Sequence, residues 1–595
     1  MKRLKRFGCL LAALSLLMPV KATITNVYGR DALSLNGHWN IIVDQYDQGR
    51  KMKIYENRTP QKPEEFYEYS FSGGQRLTVP GDWNSQMEEL KRYEGTIWYG
   101  RHFNTEKTQG RRKILYFGGV NYLTNVYLNG EWIGAHEGGF TPFEIDVTDK
   151  VKDGDNFLVV EVNNTRNESA IPAMAFDWWN YGGITRDVML LNVAENYVKD
   201  YFVRLRPGTT DTIDIDVAMA EEKPGVKISV AIPELGTTSE ASTDARGRVK
   251  MALKSSKITR WQPGNPYLYD VIVAGGNDCV KEKIGFRNIE TKGTEILVNG
   301  KPQFMRSISF HEEIPQRMGR AFSEADAVML LNEAHELGVN MVRTAHYPQN
   351  EHIVRQAEKM GIILWEEIPV WQGINFTDSA TLRKAKTMLT EMIERDKNRC
   401  AVGFWSIANE TKPSPERDSF LSELLETGKG IDDTRLYTAA FDIVYFDDEK
   451  GKFTMEDPFA ETLDVIGVNK YMGWYAPWPV SPEKAEWEVM LQKPLIITEF
   501  GGEALYGQNG SSDETSSWSE DYQARLYNDN LEMMKHIPNL VGVSPWILFD
   551  FRSPYRFHPT NQEGWNRKGL VSDRGQRKRA WYIMKDFYES KKNEK

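Results

Sequence analysis

The sequence predicts a multidomain chain: a jelly-roll β-sandwich, an immunoglobulin-like β-sandwich and a (β/α)8, or TIM, barrel, in that order. Three observations carry this. The length of 595 residues exceeds what one core holds. The first half of the chain alternates apolar and polar residues with period two between Gly- and Asn-bearing turns. From about residue 291 short apolar runs instead alternate with segments of helical periodicity.

Residues 1–22, "MKRLKRFGCLLAALSLLMPVKA", begin with Lys2, Arg3, Lys5 and Arg6 and continue into an apolar run from Phe7 to Val20. Val20-Lys21-Ala22 places small residues at the cleavage positions, so the stretch reads as a secretory signal peptide. It is too short for a membrane span, and no other stretch is long and apolar enough to be one. Losing five basic residues and no acid takes the formal charge from −10 to −15. Such an acidic chain is a poor partner for nucleic acid, and recognition of an anionic ligand must come from local groups. Of three Cys only Cys279 and Cys400 lie beyond the leader, and no disulfide is expected. A large exported chain without disulfides suits a bacterial periplasm or cell surface.

Residues 23–197 hold the runs "RKILYFGGV", "TNVYLNGEWIGAHEGGF", "NFLVVEVNN" and "RDVMLLNV" and no convincing helix, which predicts the jelly-roll sandwich. Leu128-Asn129-Gly130-Glu131 is a hairpin signal within it. Residues 198–290 repeat the pattern in "DTIDIDVAMA", "VKISVAI", "GRVKMAL" and "LYDVIVAGG", and a smaller immunoglobulin-type sandwich fits. Residues 291–595 contain eight apolar runs: "QFMRSISF", "VNMVRTAHYP", "GIILWEEIP", "VGFWSIANE", "LYTAAF", "DVIGVNKY", "PLIITEF" and "VGVSPW". Chemistry in such a barrel collects at the C-terminal ends of the strands.

Two of those ends carry carboxylates, Glu410 after Asn409 in the fourth run and Glu499 in the seventh. A lone Glu at a strand end is most often a salt bridge or solvated. Two across one barrel mouth suit glycoside hydrolysis, with one acid protonating the leaving oxygen and one carboxylate attacking the anomeric carbon. The 17 Trp fit a Trp-rich core and also stacking on sugar faces. No metal-ligand spacing and no phosphate loop appears, so no cofactor is expected.

"RDKNRCAVGFWSIANE", "IITEFGG", "VNMVRTAHYP" and "NKYMGWY", with "FGGVNYLTNVYLNGEWIGAHEGGFTPFEIDVTD" in the first domain, resemble glycoside hydrolase family 2 over nearly the whole mature chain. The resemblance implies Glu410 as acid/base and Glu499 as nucleophile. It further implies that Asn409 bonds the sugar 2-OH, that Tyr471 stands near the nucleophile, that Trp546 floors the sugar pocket, that His311 touches the sugar, and that Asp177 in "FDWWNYGGITRDV" reaches from the first domain to a sugar hydroxyl. Within the family, Asn566-Arg567-Lys568 resembles the Asn-x-Lys signature of β-glucuronidases, whose amide and ammonium grip the C6 carboxylate. That pattern has an Arg four residues before the Asn, where this chain has Gln562, and Arg552 and Arg556 are the candidates to replace it. The short link "VWQGINFTDSATLRKA" after the third strand implies an open mouth and larger glycans.

The leading expectation is therefore an exo-acting retaining β-glucuronidase acting on glucuronide-bearing small molecules or glycans. It has no nucleic-acid partner and no membrane span, and a homo-oligomer is an open option. The alternatives are a β-galacturonidase or β-galactosidase on the same scaffold and, in another class, a non-catalytic surface glycan-binding protein. Two carboxylates at the strand ends argue against the last, since binding alone needs neither.

Overall fold

The computed structural model describes residues 23–58, 62, 64 and 69–594. The expected leader, 1–22, lies outside the described residues. Among them no helix is long and apolar enough to cross a membrane, and Cys279 and Cys400 are free thiols.

The first sandwich packs a four-stranded sheet (Ala32–Ser34, Val188–Ala194, Arg111–Phe117, Phe143–Asp146) on a six-stranded one (Arg76–Val79, Gly37–Asp44, Thr96–Thr105, Gly154–Asn163, Leu123–Leu128, Glu131–Glu137). Leu158, Val160 and Val162 face the core between the sheets. Phe157 and Val159, pointing the other way, are covered by Ile54, Phe71 and Trp98. Burial on both faces is why "NFLVVEV" is almost continuously apolar rather than alternating. Asn129 (φ 53°) and Gly130 (φ 87°) form the expected left-handed hairpin turn. A single helical turn, Trp83–Gln86, interrupts the strands, with Asp82 accepting from Ser85 N as its cap.

The second sandwich has sheets of three strands (Val198–Leu205, Thr212–Met219, Arg248–Lys254) and four (Thr237–Ser242, Lys227–Ile232, Tyr269–Gly275, Asp278–Ile284). Their alternation is regular: Ile213, Ile215 and Val217 share one core with Ile228, Val230, Val271 and Val273.

All eight predicted runs become strands of one closed barrel: β1 (Met305–Phe310), β2 (Met341–Thr344), β3 (Ile363–Glu367), β4 (Val402–Asn409), β5 (Leu436–Phe441), β6 (Val465–Asn469), β7 (Leu495–Glu499) and β8 (Leu540–Val543). Helices α1 (Glu324–Leu337), α2 (Glu351–Met360), α3 (Ser379–Asp396), α4 (Pro415–Ile431), α5 (Glu520–Met534) and α6 (Arg579–Asn593) surround it. Their starts follow capping chemistry: Ser323 forms a capping box with Asp326, Asp378 accepts from Ala380 N and Thr381 N, and Ser414 precedes Pro415 at the first helical position.

Two of the eight strands are not followed by an α-helix. After β5 and β6 the described chain forms only the 3-10 turns Pro458–Thr462 and Pro482–Lys484, with a small sheet of Val444–Asp447, Lys452–Met455 and Trp487–Glu488. Pro458, Pro477, Pro479, Pro482 and Pro494 punctuate this region and deny a helix the N–H groups it needs.

Buried ion pairs join the first sandwich to the barrel. Arg186 donates to Glu312 Oε2 (2.7 Å), to Phe140 O and to Pro348 O (both 2.6 Å), with both charged side chains almost inaccessible. Arg186→Met would leave Glu312 buried without its cation, a loss of about 3–5 kcal/mol. Calorimetry should show a clear drop in Tm, and the Arg186→Met/Glu312→Gln double variant should recover part of it. An additive double variant would mean that the pair does not couple the two domains.

Candidate active site

The ends of β2, β3, β4, β6 and β7 converge on two carboxylates. Glu499 closes β7, its Oε1 accepting from Arg343 Nη1 and its Oε2 from the Tyr471 hydroxyl, each at 2.6 Å. Glu410 follows β4 with φ 52°, a left-handed conformation that costs a non-glycine residue about 1–2 kcal/mol. Its N–H is held by Ala440 O at 2.8 Å. Its two carboxylate oxygens accept from Asn469 Nδ2 and Gln372 Nε2, each at 2.8 Å.

Arg343 on β2 ties these strands together. Fully buried, it also donates to Glu367 of β3 and to Asn409 Oδ1 at 2.7 Å. Burial, and next the negative charge of Glu499, push Glu410 up to about 7. Burial also raises Glu499, but the Arg343 cation and the Tyr471 hydroxyl pull it back. The shared proton therefore belongs on Glu410.

Asn409 and His311 are buried, and Asn409 Nδ2 and His311 Nε2 have no partner among the described residues. Such buried polar atoms are costly unless something supplies a partner. His311 Nδ1 lies 3.1 Å from the Tyr347 hydroxyl, and burial holds its ring well below the usual imidazole range, hence neutral. Trp546 lies three residues beyond β8 and is buried, with the His346 ring stacked on it at 4.7 Å and His311 edge-on at 5.4 Å.

A second cluster adjoins the first through Tyr471 and Tyr475, whose rings are 5.1 Å apart. Asp177, from the first sandwich, accepts from Ser553 Oγ (2.5 Å), Arg556 Nη2 (2.5 Å) and Asn566 Nδ2 (3.1 Å). Lys568 is 1% exposed, so it is no solvated loop residue. Nor is it unpaired: its Nζ donates to the Tyr475 hydroxyl at 2.7 Å and to Glu503 Oε1 at 3.4 Å. Gln562 donates to the same Glu503 at 3.0 Å. Of the two candidate arginines, Arg552 is sandwiched between Trp179 and Trp565, with its guanidinium 5.0 and 4.9 Å from the rings. Arg556 instead stands with Asn566 and Lys568, bonding Asp177, donating to Tyr475 at 3.1 Å and lying 3.5 Å from Glu503.

All nine residues singled out in the sequence thus fall in these two adjoining clusters. Sequence reasoning missed Arg343, Gln372, His346, Asn469, Tyr475 and Glu503. Arg343 and Asn469 carried a usable signal, a polar residue at the end of an apolar strand run. Gln372 and Glu503 lie in irregular segments and carried none.

A TIM barrel with this pair of strand-end carboxylates and an adjoining β-sandwich defines a glycoside hydrolase, and comparison with known proteins gives the family. "Glycosyl hydrolases family 2, TIM barrel domain" matches residues 289–592, the family's "sugar binding domain" residues 33–194, and a further "Glycosyl hydrolases family 2" domain residues 196–287. The chain belongs to glycoside hydrolase family 2. It is 27% identical to a β-glucuronidase of Streptococcus agalactiae, over 87% of this chain and 93% of that protein. It is also 27% identical to a β-galactosidase of Thermoanaerobacter pseudethanolicus, over 89% and 68%. The Ruminococcus gnavus β-glucuronidase solved in complex with D-glucuronic acid superposes with a TM-score of 0.81 at 25% identity, covering 96% of this chain and all of that one.

The coupling of the two carboxylates can be read directly. Glu499→Gln removes the negative charge facing Glu410, so the infrared carboxyl band lost in Glu410→Gln should titrate at lower pH in the Glu499→Gln protein. Glu410 also binds its proton more tightly folded than unfolded. Stability therefore falls as pH rises from its ordinary 4.5 to about 7. Glu410→Gln should melt above the parent at pH 8, with the gap closing below pH 4.5. A gap independent of pH would contradict the assigned shift.

Proposed function

We propose that the chain is an exo-acting, retaining β-glucuronidase that removes terminal β-D-glucuronic acid by double displacement. The observation that carries the reading is the placement of Asn566, Lys568, Arg556 and Tyr475 beside the Glu499–Tyr471 pair. These donors suit a carboxylate at C6 of a sugar whose anomeric carbon faces Glu499. Named β-glucuronidases among the relatives support it. The leader-like residues 1–22 support action outside the cytoplasm.

In the first step a Glu499 oxygen bonds the anomeric carbon, the glycosidic C–O bond breaks, and the Glu410 proton passes to the leaving oxygen. Ester formation removes the charge on Glu499, and with it the repulsion that held the Glu410 proton. Glu410 then takes a proton from water as that water's oxygen attacks the anomeric carbon and the ester to Glu499 breaks. Asn409 Nδ2 is a free donor and His311 Nε2 a free hydrogen-bonding atom for ring hydroxyls, Asp177 is an acceptor, and Trp546 the apolar floor.

A second reading is favoured by one observation. Lys568 and Arg556 are each within ion-pair distance of Glu503, and Arg556 also pairs with Asp177. Two cations thus face two carboxylates, and the cluster carries no formal excess of positive charge. A β-galactosidase, named among the relatives, is the rival on this ground; a β-galacturonidase, whose substrate carries the same C6 charge, is an alternative that the charge balance does not separate.

Hydrolysis of p-nitrophenyl β-glucuronide, β-galacturonide and β-galactoside decides between them. With the glucuronide, Lys568→Met should lower kcat/KM on the order of a hundredfold, about 3 kcal/mol. The same variant should hold or slightly gain on the neutral glucoside, since no ammonium then meets an uncharged C6. Equal losses on both substrates would make Lys568 structural through Glu503.

Proton NMR of fresh product should show the β-anomer first, and Glu499→Gln should abolish turnover of every β-uronide. Initial α-anomer would exclude double displacement.

A further inference from the structure

Residues 23–27 form a buried plug where all three domains meet. Each of its anchors lies in a different one. Ile24 N donates to Glu144 Oε2 of the first sandwich at 2.6 Å. Thr25 bonds the second sandwich twice, through its hydroxyl to Asp200 Oδ1 (2.7 Å) and its N–H to Lys199 O (3.0 Å). Thr23 N donates to Glu394 Oε2 on barrel helix α3 at 3.2 Å.

Glu394 is short of a cation. Among the described residues it has no ion-pair partner, because the adjacent Lys397 is committed to Asp200 at 2.6 Å. Lys199 faces Glu144 at 3.7 Å, and Glu391 is 3.2 Å from His136. Arg30 is engaged by Thr25 O, Val198 O and Asp278. Burial, Asp200 and Glu391 raise the Glu394 carboxyl, and Lys397 and the Thr23 N–H oppose them. A neutral amide at Thr23 answers this surplus of acid poorly, whereas an ammonium would answer it well.

Thr23 is also the residue that follows the Val20-Lys21-Ala22 cleavage pattern. We propose that cleavage after Ala22 sets the new α-ammonium of Thr23 against Glu394, forming an ion pair that locks the three domains together in the mature chain. The proposal rests on the leader reading of residues 1–22. A leader peptidase consumes one water at the Ala22–Thr23 bond. The carboxylate departs with the leader, and the amine stays on Thr23 and takes up a proton. An amine paired in this way has its pKa raised above the ordinary value of about 7.7–8.0. The added stability is thus present below that range, once Glu394 is ionised, and is lost as pH rises through the raised pKa.

The test compares full-length mature protein beginning at Thr23 with the same chain retaining Lys21-Ala22, each with and without Glu394→Gln. At pH 6.5, below both pKa values, the Thr23 amine should react with an acylating reagent about tenfold more slowly than a Thr-Ile-Thr peptide, which corresponds to a pKa about one unit higher. The Thr23 chain should melt about 1 °C above the extended chain, and Glu394→Gln should erase both differences. Peptide-like acylation would overturn the ion pair, as would a melting difference that survives Glu394→Gln, which would assign the effect to the plug alone. N-terminal sequencing of the exported protein separates the two layers. A start other than Thr23 would overturn the natural formation of the pair, while the recombinant chains decide its chemistry independently.

Discussion

The buried guanidinium of Arg343 is the interaction that organises the site. It bonds Glu499, Glu367 and Asn409 at once, from three different strands. A buried cation of this kind is tolerable only when its carboxylates are in place, and the carboxylates only when it is. The same contact lowers the proton affinity of Glu499 while leaving that of Glu410 high. One residue thereby fixes the geometry of two strand ends and opposes, at Glu499, the rise in proton affinity that burial imposes on both carboxyl groups. Environment rather than residue type makes that difference.

Around this hub the domains supply what the barrel lacks. Asp177 comes from the first sandwich, and it can meet Arg556 and Asn566 only because that sandwich is docked firmly on the barrel mouth. The Arg186–Glu312 pair and its carbonyl contacts do that docking. On the other side, Arg399 reaches Glu282 of the second sandwich at 2.9 Å and Glu358 of α2 at 2.8 Å. The site is thus assembled at a junction, and its precision rests on buried polar contacts between domains as much as on the barrel core.

The acidic composition makes the Lys568–Arg556 cluster the more telling. With a formal charge of −10 over the whole sequence, the global field would repel a uronide. The two cations that the barrel mouth encloses are local, and Glu503 and Asp177 orient them in a buried place. Removing one of these carboxylates would disturb the cation as well as the charge balance.

The fold class and the two carboxylates were legible in the sequence because both are written in local pattern. Period-two alternation marks strands buried on one face, eight apolar runs mark barrel strands, and a Glu closing such a run has nowhere to go but the barrel mouth. Local pattern said nothing of the Pro-rich links after β5 and β6, which build a small sheet in place of helices. How side chains distant in sequence meet was left to the packing of the folded chain. Gln372 reaches Glu410 from an irregular loop, Glu503 claims Lys568 across 65 residues, and Arg556 rather than Arg552 joins them because Trp179 and Trp565 hold the other guanidinium. Spacing along the chain encodes periodicity within one element. The pairing of charges between elements depends on where the packed domains bring them.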